Sequence, residues 1–187
     1  EVTRLFSTSP VLRALNRDSL KSGRVKIFNE DALQWLERNT EIFDFIVVDF
    51  PDPSNYSLGK LYTSVFYRLL ARHLAPDGLA AIQTTSPLYA RQSFWCVVTT
   101  IESADLRATP YHAMVPSFGE WGFIIAGRRP YAPPAGYDLE HRFLTPETTR
   151  AMFQFPKDME RVPAEVNRLN NQILVRYFER EWRQVIR

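Results

Sequence analysis

The chain has 187 residues, enough for one domain with a sizeable core, and its 45% hydrophobic and 13% aromatic content argues for a packed globule rather than disorder. A formal net charge of +2 without a basic block gives no nucleic-acid signature. The single cysteine, Cys96, excludes an internal disulfide and a cysteine-based metal site and fits a reducing compartment, and no apolar run is long enough to cross a bilayer.

The sequence opens on Glu1-Val2-Thr3-Arg4 without an initiator Met, which suits a processed or excised piece of a longer protein. Val2, Leu5, Phe6, Leu12 and Leu15 fall at helical spacing, so residues 1–20 read as helix, divided at Pro10. Arg24–Phe28 alternates like a short strand. Asn29-Glu30-Asp31 then leads into an amphipathic helix from Ala32, its acidic start matching the helix dipole. Residues 44–49 form an apolar run, β-branched in its middle, that ends in Asp49 and Asp52, with Pro51 between them and Pro53 after. That is the pattern of a buried parallel strand running out at its carboxyl end. Open α/β sheets bind ligands outside those ends, so Asp49 and Asp52 are expected at the lip of a pocket. A lone Asp there is more often a turn former or cap; two on a proline-stiffened loop raise the case for function.

Ser54–Gly59 is polar and expected to be mobile. Leu61–Leu74 reads as a helix, with Leu61, Val65, Phe66, Leu69 and Leu70 on one face. Ala75–Gly78 is a turn, and Leu79–Thr84 a strand ending in polar residues. Ser86-Pro87 opens a helix to about Ser103. Leu106–Val115 predicts a strand, 116–120 a loop, and Trp121–Ala126 a strand returning antiparallel. Pro163–Arg187 predicts the longest helix, with Val166, Leu169, Ile173, Tyr177, Phe178, Trp182 and Val185 on one stripe. Strand–helix alternation closed by a hairpin argues for an α/β core over 1–129 with a mostly parallel sheet, followed by a helical extension over 130–187.

Other catalytic chemistries find little support. His73, His112 and His141 have no partner at metal-ligand spacing, so no metal is expected. Cys96 has no nearby His, and Ser117 lacks a nucleophile-elbow setting.

Asp49-Phe50-Pro51-Asp52-Pro53 resembles the signature loop of the polyamine aminopropyltransferases, the spermidine and spermine synthases. The helix start Leu61-Tyr62-Thr63-Ser64-Val65-Phe66-Tyr67 matches the family's pattern after that loop. Asn29-Glu30-Asp31-Ala32, Pro76-Asp77-Gly78, Gln83 and Val115–Phe123 add support, and Glu165–Gln172 is similar to a bacterial branch whose members often carry membrane-spanning helices.

The resemblance implies a Rossmann-like, methyltransferase-type α/β fold that transfers an aminopropyl group from decarboxylated S-adenosylmethionine to a diamine such as putrescine. It makes Asp49 the acceptor of the amine's proton and has Asp52 hold the amine, with Gln83 and Phe118 beside it. Asp31 then meets the adenine amino group, with Ala32 close to the ring. Tyr62, on a helix face, is either a site wall or core. Partners are small polyamine substrates, with no nucleic acid, self-association of the chain, and membrane contact only through segments outside it. The expected location is cytoplasmic, either free or as the cytoplasmic domain of a membrane protein.

Two departures from the family pattern bear on this. The glycine-rich loop and the ribose-holding acid are not in the sequence, and Phe118 stands where the family commonly has a Tyr. The fold is therefore expected to be truncated at its N-terminus and this chain alone to be inactive. An open strand edge is expected to self-associate or to close by pairing Arg24–Phe28 with Asp44–Asp49. The fold alone is shared with S-adenosylmethionine-dependent methyltransferases. The departures also leave open a non-catalytic ligand-sensing or interaction domain of a membrane protein.

Overall fold

The computed structural model describes residues 1–185. Two short helices open the chain, α1 (Val2–Thr8) and α2 (Pro10–Asn16), with Pro10 in the first turn of α2, where a missing N–H costs no hydrogen bond. Helix α3 (Ala32–Arg38) leads to strand β1 (Phe43–Val48). A short helix α4 (Tyr56–Gly59) and a 3-10 turn (Lys60–Tyr62) precede α5 (Ser64–His73), which runs directly into β2 (Leu74–Gln83). Then come α6 (Arg91–Glu102), β3 (Arg107–Val115), β4 (Gly119–Gly127), α7 (Pro146–Met152) and α8 (Ile173–Val185).

The four strands form one sheet in the order β1-β2-β4-β3. β1 and β2 are parallel, with Val48 opposite Ile82; β4 runs antiparallel to both β2 and β3. The expected α/β architecture is present, but the sheet is mixed rather than mostly parallel, because the β3–β4 hairpin inserts its second strand against β2. Ala75–Gly78 bulges from the ladder, where the register jumps from Phe43–Leu74 to Phe45–Leu79. Gly78 is required there: a Cβ would lie 2.9 Å from the Phe43 carbonyl oxygen.

Alternate strand residues Val48, Ala80, Ile82, Ile124 and Ala126 pack against Phe66, Tyr67 and Leu70 of α5 and Phe94, Val97, Val98 and Ile101 of α6. On the other face Phe45 and Val47 are 56% and 67% exposed. The stripe of α8 delivers Leu174 and Tyr177 into the same core. Glu181 then accepts hydrogen bonds from the first turn of α6: Gln92 N–H at 2.7 Å, Ser93 N–H at 3.0 Å and Ser93 Oγ at 2.6 Å. A carboxylate is the natural partner for a helix N-terminus.

Three local expectations are corrected. Residues 25–29 form no strand, and β1 pairs only with β2, so Arg24–Phe28 does not close onto Asp44–Asp49. Alternation marks β propensity, yet a strand exists only with a partner; Phe28 instead rests on Trp35, ring centroids 5.6 Å apart. The tail helix begins at Ile173 rather than Pro163. Asn171 Oδ1 takes the N–H groups of Arg168 and Ile173, its Nδ2 bonds the Val166 carbonyl, and Gln172 sits at φ 44°. Such side-chain bonds compete with helix. Residues 186–187 of that expected helix lie outside the described residues. Finally, the helix expected from Ser86 starts at Arg91, because Ser86 Oγ first caps a turn by accepting from Leu88 and Tyr89 N–H.

Candidate active site

Since Val48 pairs with Ile82, Asp49 leaves the sheet beside Gln83, the last residue of β2, at the carboxyl edge. Asp49 is exposed, Asp52 half-buried and Pro53 buried. The loop is clamped from below. Tyr62, 1% exposed, shares its hydroxyl proton between the carbonyls of Pro51 (3.0 Å) and Phe50 (3.3 Å). The Phe50 ring meets Tyr62 and Phe66 edge-on at 6.2 and 5.4 Å. Burial pushes the Asp52 carboxyl above the usual carboxylate range, and its Oδ1 atom is buried with no hydrogen-bond partner among the described residues. Burial first, then the Asp52 and Asp49 carboxylates, push the Tyr62 hydroxyl up, so it remains a donor.

Asp31 lies on the other side of the same region as the N-cap of α3. Its Oδ1 accepts the N–H groups of Leu33 (3.0 Å) and Gln34 (3.2 Å), and its Oδ2 takes Lys60 Nζ at 2.6 Å. The Lys60 hydrogen bond is the main reason its carboxyl sits below the usual range. An apolar groove of about 300 Å³ is walled by the chain neighbours of both acids, Glu30 and Ala32 flanking Asp31 and Val48 and Phe50 flanking Asp49. Glu30, Ala32 and Trp35 line one side and Val48, Phe50 and Phe66 the other.

Gln83 is half-buried and pairs with Phe123 of β4, so the β3–β4 hairpin rises at the same edge as Asp49. Gly119 closes that hairpin at φ +78°, a conformation suited to glycine. Phe118, 61% exposed, packs on Trp121 at 5.3 Å. It lies five residues beyond Phe123, about 15 Å along the ribbon at the usual strand rise. The structure thus gathers Asp49, Asp52 and Gln83 at one edge and sets Asp31 and Ala32 across the groove, while Phe118 stands out at the hairpin tip.

Two residues with no role assigned from sequence hold this arrangement. Lys60 links Asp31 to the segment that carries Tyr62. Asn167, fully buried, donates from Nδ2 to the carbonyls of Gly59 (3.2 Å) and Tyr62 (3.1 Å) and accepts Leu174 N–H at 3.3 Å. Gly59 lets the tail approach: a Cβ there would lie 2.6 Å from both Gln172 Oε1 and Val175 Cγ2. Neither partnership leaves a periodic signal, because the pairs lie 29 and more than 100 residues apart. The other reactive side chains are occupied structurally. His73 lies between the Glu41 and Leu36 carbonyls, and His112 between Glu120 and the Gln154 carbonyl. Burial pushes the Cys96 thiol up to about 12.

The family description "Spermine/spermidine synthase domain" matches residues 8–132. The chain belongs to the spermine/spermidine synthase family. It is 54% identical, over its full length, to polyamine aminopropyltransferase 2 of Ralstonia nicotianae, of which it covers 37%. It is 48% identical to polyamine aminopropyltransferase of Leptospira interrogans, matching 99% of this chain and 37% of that protein. The chain therefore spans little more than a third of these curated relatives. Its fold resembles a solved spermidine synthase in complex with the transition-state analogue AdoDATO, with TM-score 0.63 and 20% identity over 82% of this chain and 59% of that one. Spermidine synthase from Thermotoga maritima gives TM-score 0.60 over 82% and 58%. Among the described residues no helix is long and apolar enough to cross a membrane.

Proposed function

We propose that this chain forms the amine side, and part of the nucleoside side, of a polyamine aminopropyltransferase. The observation that carries the reading is the pairing of Asp49 and Asp52 on a clamped loop at the carboxyl edge, on a segment whose Val48 and Phe50 line an apolar groove. A diamine is dicationic at neutral pH. Two carboxylates without a matching cation attract it, and the half-buried Asp52 gains most from its arrival. The attacking nitrogen must first lose a proton, and in this reading Asp49 takes it; its exposure and its position beside Gln83 support that role.

The co-substrate is decarboxylated S-adenosylmethionine. The groove fits such a group in chemistry: an apolar floor with Trp35 and Phe50, and small Ala32, the residue after Asp31, in its wall. In the transfer a new C–N bond forms, the C–S bond breaks, the sulfonium leaves as a neutral thioether, and the amine proton passes to Asp49. The protein contributes orientation and charge placement rather than covalent chemistry.

Incubation with decarboxylated S-adenosylmethionine and putrescine tests this, using the longest polypeptide that the gene encodes beside the 187-residue chain. Spermidine formation by the former, lost by at least 100-fold in Asp49→Asn, is expected. The 187-residue chain is expected to bind putrescine but to form little spermidine, because donor positioning supplies several orders of magnitude in rate. Methyl transfer from S-adenosylmethionine without aminopropyl transfer would overturn the reading.

A further inference from the structure

A lysine pairs with the acid that sits in the chain between Glu30 and Ala32, two residues of the groove wall. Lys60 Nζ lies 2.6 Å from Asp31 Oδ2, and both side chains are one-third exposed. The backbone behind it is fixed, since the Lys60 carbonyl accepts Thr63 Oγ1 at 2.8 Å and the flanking Gly59 and Tyr62 carbonyls are held by Asn167. The neighbouring acid, Glu30, is likewise paired, with Arg38. Among the described residues neither Asp49 nor Asp52 takes part in any salt bridge. Acids on one side of the groove are therefore matched by cations, and those on the other are not.

We propose that Lys60 is a specificity-determining residue that cancels the charge of Asp31 and confines the polyamine to the Asp49–Asp52 side. This rests on the aminopropyltransferase reading. A flexible diammonium goes wherever unmatched negative charge is concentrated. With Asp31 free, the groove would offer a second carboxylate site for the amine, on the side meant for the nucleoside. With Lys60 in place, Asp31 keeps its hydrogen-bonding oxygens but presents no net charge. The ammonium also bars an amine from settling beside it.

Calorimetric titration of putrescine into the protein, and into Lys60→Met, Lys60→Arg and the double variant Lys60→Met/Asp31→Asn, tests this. Lys60 is partly exposed and its backbone bonds do not need the side chain, so each variant is expected to fold, which circular dichroism checks. The wild type and Lys60→Arg bind one putrescine per chain. Lys60→Met binds two, the second is displaced by the neutral nucleoside 5′-methylthioadenosine, and the double variant returns to one. One putrescine in both wild type and Lys60→Met overturns the role of Lys60 while leaving the proposed function standing. No binding by the wild type overturns the proposed function and this inference together.

Discussion

The N-terminus of α3 and the loop after β1 carry the same side chain in opposite electrostatic states. Asp31 is bonded at both oxygens, by two backbone N–H groups and an ammonium, and its carboxyl is held below the usual range. Asp52 is half-buried, has one oxygen without a partner, and is held above it. A carboxylate whose bonds are already made is a structural and hydrogen-bonding element. One left short of partners in a dehydrated place is poised for a cation. The contrast divides the groove into a neutral side and an anionic side, and it depends on the short segment from Gly59 to Tyr62 between them.

Loosening that segment should have the largest effect. Asn167→Ala strips the Gly59 and Tyr62 carbonyls and the Leu174 N–H of their side-chain partner. It should cost about 2–4 kcal/mol in urea unfolding, as expected for several buried groups left unpaired. Both acids should lose their fixed positions, so putrescine binding should weaken as well. A smaller, one-sided effect is expected from Tyr62→Phe, which removes only the hydroxyl beneath the Asp49–Asp52 loop. About 1–2 kcal/mol of stability should be lost. The KM for putrescine should rise several-fold while that for the nucleoside donor stays near its wild-type value; equal changes in both would erase the distinction between the sides.

Asp31→Asn should act least on stability, by about 0.5–1 kcal/mol, since an amide still caps a helix and the lost ion pair is partly solvated. Its signature is in the pH dependence. Asp31 binds its proton more weakly folded than unfolded. Its stabilisation is therefore present above the ordinary carboxyl value and is lost as pH falls through the depressed folded value. Asp52 has the opposite sign: the folded state favours its protonated form, and that advantage is lost as pH rises through the raised folded value. Unfolding curves collected from pH 7 down to pH 2 should show Asp31→Asn losing less stability over the acid range than the wild type.

Much of the sheet side was readable from sequence. The Leu61–Leu74 stripe and the Leu79–Thr84 run led to α5 and β2 with their apolar residues buried; the Asp44–Asp49 run became β1, but not the fully buried strand expected, because nothing among the described residues covers the face that carries Phe45 and Val47. What failed was whatever depends on a distant partner or on local side-chain competition. Arg24–Phe28 has a strand's pattern but no neighbouring strand. The stripe from Val166 gave no warning that Asn167 and Asn171 would spend their amides on backbone groups and delay the helix to Ile173. At the site, Asp49 and Asp52 were legible because prolines and a strand end frame them. Lys60 was not, because a single lysine after a polar loop looks like any solvated charge until Asp31, 29 residues earlier, is folded against it.

The most direct test of the anionic side is the titration of Asp52 itself, followed by the carboxyl carbon signal in the wild-type protein with and without putrescine. The expected result is that Asp52 titrates above the ordinary carboxyl range alone and moves downward when putrescine saturates, while Asp31 titrates below that range and does not move. An Asp52 that titrates at or below the ordinary value, or that is unchanged by saturating putrescine, would contradict it.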